Sequence, residues 1–192
     1  MSAYLKGWSV WHHGRSVADA TEYRAPDLSI RTSDFFAGHM DGPRIIDNGI
    51  EPLNASLKIK GAGAANFLAI GSRPFFSSRF VIREGYVDER NKFSGVVDEI
   101  EGFISKVSQD PNSENSRAGK STTIDISLRF YKRTIDGMEK VLLIPEEGVR
   151  KINGVDSLNV ISALVYLSSI SGGVNGVDFK KLKISDFIGG GF

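Results

Sequence analysis

An Asp-Gly pair at residues 136 and 137 separates two runs of strand-forming residues, and it constrains the fold more than any other feature. Before the pair, apolar and polar residues alternate from Thr122 to Phe130, and after it the chain returns through an apolar run at residues 141–144. Both central residues of a type I′ turn need a positive φ angle, which Asp and Gly tolerate well. The sequence therefore predicts an antiparallel β-hairpin that turns at Asp136 and Gly137.

This hairpin carries an electrostatic conflict near its turn. If the loop has two residues, Arg133 faces Lys140 across the two strands, and like charges in that position are unfavourable. An acidic group from another chain would resolve the conflict. Alternatively, both side chains extend into water.

Further alternating segments predict a mainly β chain, with its cleanest strand from Leu53 to Ile59. Other strands are predicted at residues 4–11, 28–36, 77–87 and 93–107. The Ala-rich residues 62–70 predict one short α-helix that ends at Gly71. Residues 38–49 are predicted to form a loop and residues 19–22 a connection. The expected fold class is an antiparallel β-barrel or β-sandwich with one short helix.

One predicted strand carries three carboxylates near its middle. Asp98, Glu99 and Glu101 lie within residues 93–107, so we expect one face of this strand to be acidic. The simplest interpretation is a solvated face rather than a paired acid and base for catalysis.

Composition excludes several classes of function. The 24 basic and 23 acidic residues give a net charge of +1, which argues against a nucleic-acid or anionic-membrane surface. The absence of cysteine excludes disulfides and cysteine-based metal or redox sites. The first ten residues lack a signal-peptide core, and the longest apolar stretch is far shorter than the ~20 residues that span a bilayer. We therefore expect a soluble protein, most simply from a reducing cytoplasm, although a cysteine-free secreted protein stays open.

The motifs that suggest chemistry are all incomplete. Gly119-Lys120-Ser121 ends like a phosphate-binding loop, but that motif needs a glycine where the chain has Glu114, and strand-patterned residues follow it. Residues 61–66 suggest a dinucleotide-binding turn, but no βαβ unit follows. His12 and His13 are adjacent and would point to opposite faces of a strand. The sequence predicts no catalytic site, cofactor or metal.

Three segments carry a family resemblance. They are the strand and turn from Phe130 to Glu139, the string at residues 150–156 and, more loosely, residues 28–33 followed by residues 38–42. In these segments the chain resembles the major tail tube proteins of phages with contractile tails, over roughly residues 22–158.

The resemblance implies a structural virion protein. Six copies would form a ring in which strands of all subunits close one barrel around a lumen, and rings would stack into a tube. A contractile sheath protein would surround the tube, while a tape-measure protein and then DNA would occupy the lumen. The expected location is the virion tail, assembled in the host cytoplasm, with no membrane partner.

The resemblance also suggests domains and contact residues. Residues 1–158 would form the tail-tube domain, and residues 159–192 a C-terminal extension that serves as an assembly arm or extra surface element. Residues 109–120 would form a projecting loop that is mobile in the monomer. Asp98, Glu99 and Glu101 would face either the lumen or a basic neighbour. The residues expected to contact other subunits are Arg117, Gly119, Lys120, Arg133, Asp136, Gly137, Lys140, Asn153, Gly154, Val155 and Asp156.

Three alternatives stay open. One is the tube of a contractile bacteriocin or a related secretion device. A second is a stand-alone β-barrel module that stacks single-stranded nucleic acid on Phe75, Phe76, Phe80 and Tyr86. The third is an enzyme that uses the Gly119-Lys120-Ser121 segment.

Overall fold

The computed structural model describes residues 3–60, 77–111, 120–156 and 158. The helix predicted at residues 62–70 lies outside these residues. The described parts consist almost entirely of strands, with one short 3-10 turn at Pro145–Glu147. The strands are β1 (Ala3–His12), β2 (Arg15–Val17), β3 (Ala20–Arg24), β4 (Ile30–Phe35), β5 (Arg44–Ile50), β6 (Asn54–Lys60), β7 (Ser78–Asp88), β8 (Phe93–Gln109), β9 (Ser121–Ile135), β10 (Met138–Ile144), β11 (Val149–Ile152) and β12 (Val155–Asp156).

Ten of these strands form one antiparallel sheet, which confirms the predicted β class. Eight follow the order β12-β11-β10-β9-β8-β7-β1-β2, and β6 and β3 extend the sheet from β9. The long strand β9 pairs with β8 along one edge, while its other edge pairs first with β6 and then with β10. The strands β4 and β5 form a separate two-stranded sheet, which we name the separate hairpin.

The hydrophobic core is built from alternate residues of the main strands. In β6, Ala55, Leu57 and Ile59 are buried while the residues between them are not, as the sequence pattern predicts. Burying each large aliphatic side chain contributes about 1.5–3 kcal/mol. The core cluster comprises Val10, Leu53, Ala55, Leu57, Ile59, Phe80, Ile82, Ile100, Ile124, Ile126, Leu128, Tyr131, Val141 and Leu143.

Backbone angles confirm the predicted hairpin turn. Asp136 and Gly137 have φ angles of 49° and 79°, both positive as a type I′ turn requires. The pair Asn153-Gly154 has the same signature, and so does His13-Gly14 between β1 and β2, where the sequence pattern had suggested no hairpin.

Two short strands lie where the sequence predicted irregular structure. The loop predicted at residues 38–49 is wrong from Arg44 onward, because β5 pairs there with β4. A bulge in β5 lies at Gly49, whose φ of 104° suits glycine. The connection predicted at residues 19–22 is also wrong, since β3 begins at Ala20 and pairs with β6. In both cases pairing with another strand stabilises a β conformation that the local sequence does not favour.

The two longest strands approach each other closely at a second bulge. A Cβ atom on Gly102 of β8 would collide with the carbonyl oxygen of Ser127 in β9. Glycine at this position therefore allows β8 and β9 to stay paired across the irregularity between Glu101 and Gly102.

Candidate subunit interfaces

Asp98 is buried and forms an ion pair with the half-buried Arg133 of the same subunit. The Asp98 side chain is 2% exposed, and Arg133 donates to its two carboxylate oxygens from Nε at 2.7 Å and from Nη2 at 2.6 Å. The hydroxyl of Tyr23 donates to the same carboxylate at 3.0 Å. The hydrogen bonds to Asp98 raise the pKa of Arg133. Burial and the nearby Asp98 charge raise the pKa of Tyr23 and of Tyr131.

This pair corrects two expectations. Arg133 does not face Lys140, because a bulge between Glu139 and Val141 shifts the register and pairs Arg133 with Val141. The acidic neighbour of Arg133 comes from the same chain. The expectation of one acidic face is wrong for Asp98, because successive residues of a strand point to opposite faces and Asp98 lies on the core side.

On the other face of the sheet, charged side chains form a continuous set of ion pairs across β7, β8, β9, β10 and β11. Glu99 contacts Arg79 at 2.5 Å and Lys132 at 3.9 Å. Glu139 contacts the same Lys132 at 3.8 Å and Lys151 at 3.2 Å. We name these five residues the charge lattice. It alternates in sign, so each carboxylate lies between two cations.

Glu101 lies beside the charge lattice and has its own partners. Its carboxylate accepts hydrogen bonds from Arg129 at 2.6 Å and from Ser77 at 2.9 Å. These two bonds lower the pKa of Glu101, that from Arg129 more strongly. Both glutamates of the predicted acidic face are therefore compensated by groups of their own subunit.

The predicted contact residues at the hairpin turns are exposed, and several are held by local hydrogen bonds. The Asp136 carboxylate accepts from the backbone N–H of Gly95 at 2.8 Å and from the hydroxyl of Ser94 at 3.0 Å. These bonds, that of Gly95 first, lower the pKa of Asp136. The Asn153 N–H donates to the carbonyl of Lys140 at 2.7 Å, which joins the ends of β10 and β11.

The remaining predicted contacts are scattered. Asp156 accepts a hydrogen bond from the N–H of Leu158, and Val155 is largely exposed. Lys120 is exposed just before β9. Arg117 and Gly119 lie outside the described residues, as do Phe75 and Phe76 of the nucleic-acid alternative.

The separate hairpin is a surface that the sequence interpretation missed. Phe36, which follows β4, is 63% exposed, and Ile45 in β5 is 68% exposed. Adjacent apolar residues, Phe35-Phe36 and Ile45-Ile46, were the available signal, because a strand with one buried face needs only every second residue to be apolar. The exposed large apolar residues of this region are Leu28, Ile30, Phe35, Phe36, Ile45 and Ile46.

An ion pair fastens the base of the separate hairpin to the rest of the domain. Asp47 of β5 accepts from Arg150 of β11 at 2.6 Å and 3.2 Å, and Ile50 packs against the core. The bonds from Arg150, followed by that from the Gly49 N–H, lower the pKa of Asp47. A cavity of about 270 Å³ lies at this base. Its lining comprises Leu28, Ser29, Ile30, Asp47, Ile50, Leu53, Leu143, Arg150 and Ile152.

The described residues hold no group of three or more His, Cys, Asp or Glu side chains arranged to bind a metal ion. Within the same ranges, no helix is both long and apolar enough to cross a membrane.

Comparisons with known proteins identify the family. No curated protein matches the chain. The structure is similar to a chain in the cryo-EM structure of the anti-feeding prophage (AFP) baseplate, 6-fold symmetrised, with a TM-score of 0.44, 6% sequence identity, and coverage of 66% of this chain and 90% of that chain. The family model described as phage tail tube protein FII matches residues 2–164. Because this match spans most of the sequence, the chain belongs to the phage tail tube protein family, whose members are structural components of the virion tail that assemble into tubes.

Proposed function

We propose that the chain forms hexameric rings that stack into the inner tube of a contractile tail and that the tube is the conduit for genome delivery. Family membership supports the tube. The conduit rests on one observation, the charge lattice, because it runs across one face of the main sheet and gives each of its cations a carboxylate partner in the same subunit.

The lining of a DNA conduit must not retain the polymer that passes through it. Each Lys or Arg that pairs with a phosphate releases counterions and adds affinity. In the charge lattice Lys132 lies between two carboxylates, and Arg79 and Lys151 each contact one. We propose that the charge lattice, which includes Glu99, lines the lumen together with Glu101, while Asp98 acts inside the subunit.

Neighbouring subunits would meet at the hairpin turns and along open strand edges. A sheet edge left unpaired tends to add strands from another chain, and closure into a barrel removes such edges. The turns at Asp136-Gly137 and Asn153-Gly154 are exposed, and Met138 and Val155 beside them are largely exposed apolar residues. We propose that these turns, with Lys140 and Asp156, contact the next subunit in the ring.

The other contacts follow from the tube arrangement. The loop that carries Arg117, Gly119 and Lys120 would meet the adjacent ring, and residues 159–192 would act as an assembly arm beyond a tail-tube domain of residues 1–158. A sheath protein would surround the tube, and a tape-measure protein would precede DNA in the lumen. Assembly would take place in the host cytoplasm.

Negative-stain microscopy of the concentrated purified protein tests the tube. The proposal predicts hollow tubes or rings, with six-fold symmetry in end views. A chain that stays monomeric at every concentration would contradict it.

Binding of duplex DNA tests the conduit lining separately. We expect the wild-type protein to bind fluorescent duplex DNA weakly at low salt. The double variant Glu99→Gln/Glu139→Gln leaves the three cations of the charge lattice without carboxylate partners, so it should bind more tightly and lose this affinity as salt rises. The variant Glu22→Gln/Glu147→Gln makes the same change in net charge at exposed positions away from the lattice. Equal binding by the two double variants would refute the lining proposal.

A further inference from the structure

Within the described residues, the separate hairpin is attached to the rest of its subunit at its base, by the Asp47–Arg150 ion pair and by Ile50. It pairs with no other strand in the part of the chain that the structure describes, and a lone two-stranded hairpin is marginally stable in water. Its far end carries Phe35 and Phe36, and Ile45 pairs with Asp34 there. Exposed apolar side chains concentrated at one end of a hairpin are typical of an interaction site.

The cavity at the base of the same hairpin has matching chemistry. Six of its lining residues are apolar, namely Leu28, Ile30, Ile50, Leu53, Leu143 and Ile152. Its two charged residues, Asp47 and Arg150, already satisfy each other. At about 270 Å³ it is smaller than the roughly 300–1,000 Å³ typical of small-molecule sites. An apolar side chain suits it better than a polar ligand.

The tip of the hairpin lies away from the cavity of its own subunit. Phe35 is three residues along β4 from Thr32, which pairs with the cavity residue Asp47, and five residues from the cavity residue Ile30. At about 3.3 Å per residue, these separations are roughly 10 and 17 Å. A tip from another copy has no such restriction. One surface that fits a different surface on an identical chain gives a heterologous, head-to-tail contact, which propagates into rings or filaments.

We propose that the Phe35-Phe36 tip of one subunit inserts into the cavity at the hairpin base of a second copy, against Leu28 and Ile152. This inference rests on the proposed function, because a tube supplies the second copy. The Asp47–Arg150 ion pair would act as a positioning contact, since it fixes the hairpin base and hence the cavity wall. Burial of an aromatic ring of the tip would stabilise both the tip and the contact between subunits.

Cysteine cross-linking tests the contact directly, because the chain contains no cysteine. One preparation carries Ala37→Cys, directly after the Phe35-Phe36 tip, and another carries Leu28→Cys at an exposed side chain of the cavity wall. Both phenylalanines of the tip are therefore kept. The two are mixed, assembled and oxidised. A disulfide needs Cα atoms about 4.4–6.8 Å apart, so docking should give a covalent dimer of the two variants. The control replaces Leu28→Cys with Glu89→Cys, in the exposed turn between β7 and β8.

We expect roughly tenfold more cross-linked dimer with Leu28→Cys than with Glu89→Cys, because docking raises the effective concentration of the two thiols. Equal yields, or tubes without a Leu28 cross-link, would overturn the inference and leave the proposed function intact. A selective cross-link in oligomers that are not hollow would support the inference and contradict the proposed function. Failure of the chain to associate at all would overturn both.

A substitution provides a second readout. Phe36→Ser should raise the protein concentration needed for half-maximal association by about tenfold, as loss of an aromatic anchor does at other interfaces. Its far-UV circular dichroism should match the wild type, because Phe36 is exposed in the subunit. An unchanged association midpoint would contradict the inference.

Discussion

Asp98 and Glu99 are adjacent in β8 and both form ion pairs, yet they lie on opposite faces of the sheet. Asp98 points into the core, where Arg133 and Tyr23 donate three hydrogen bonds to it. Glu99 points to the opposite face, where it contacts Arg79 and Lys132 at a partly exposed site. The two carboxylates differ in burial far more than in their partners.

Ion pairs on one strand can therefore act differently, one on the packing of the core and the other on the charge of an exposed face. Removing one partner of a buried pair leaves an uncompensated charge in a low dielectric, whereas an exposed pair is weakened by water and salt. Removing one partner of the Asp98–Arg133 pair should therefore disturb the packing of β3, β8 and β9 around it. The charge lattice contributes little to stability, and its main effect is on the electrostatic potential of the sheet face.

The largest predicted effect comes from removing the buried carboxylate of Asp98. Asp98→Ala should lower the free energy of unfolding by about 2–3 kcal/mol, because Tyr23 and Arg133 lose their acceptor and water reaches only the exposed third of Arg133. Urea unfolding measures the change. The paired variant Asp98→Leu/Arg133→Met, which removes both charges, should recover much of the loss. If Asp98→Ala cost no more than an exposed substitution, the distinction between the two faces would fail.

The second prediction concerns alkaline pH. Burial and Asp98 raise the pKa of Tyr23 and Tyr131 in the folded state, while in the unfolded chain a tyrosine has a pKa of about 10. The two neutral tyrosines therefore contribute to the free energy of unfolding in full below about pH 10. Above that pH their contribution falls by about 1.4 kcal/mol per pH unit for each tyrosine.

Tyr23→Phe removes one of these two contributions. Unfolding free energies measured between pH 9 and 11 should fall less steeply for the variant than for the wild type. Parallel curves would mean that Tyr23 ionises equally easily in both states.

Sequence patterns predicted the main strands and the turn at Asp136-Gly137, because both are encoded locally. They could not predict β3, whose partner β6 is distant in sequence, or β5, because its segment is rich in glycine and charge although it pairs with the preceding strand β4. The alternation rule would have separated Asp98 from Glu99, yet a carboxylate in a strand suggests solvent unless its buried partner is known. Arg133 could not be identified as that partner, because the bulge at Lys140 changes the register and leaves no clear sequence signal.

The third prediction concerns the partly exposed carboxylate of Glu99. Glu99→Gln should change the free energy of unfolding by only about 0.2–1 kcal/mol, since exposed ion pairs are worth little. Urea unfolding at low and high salt measures it, and high salt should reduce the difference further. A cost near that of Asp98→Ala would mean that the charge lattice also holds the fold together.

The smallest predicted effect is on acid stability. Hydrogen bonds from Arg129 and Ser77 lower the pKa of Glu101 in the folded state. Its contribution is present above the unfolded pKa of about 4.3 and is lost as pH falls through the lower folded value. Glu101→Gln should therefore flatten the acid limb of the stability curve slightly between pH 5 and 3. An unchanged acid limb would contradict this linkage.

A cryo-EM reconstruction of assembled tubes at side-chain resolution would test directly whether the charge lattice lines the lumen. We expect Glu99, Lys132 and Glu139 to face the lumen, while Asp98 and Arg133 stay inside each subunit wall. A reconstruction in which the charge lattice faces the outside of the tube, or is buried between subunits, would contradict this expectation.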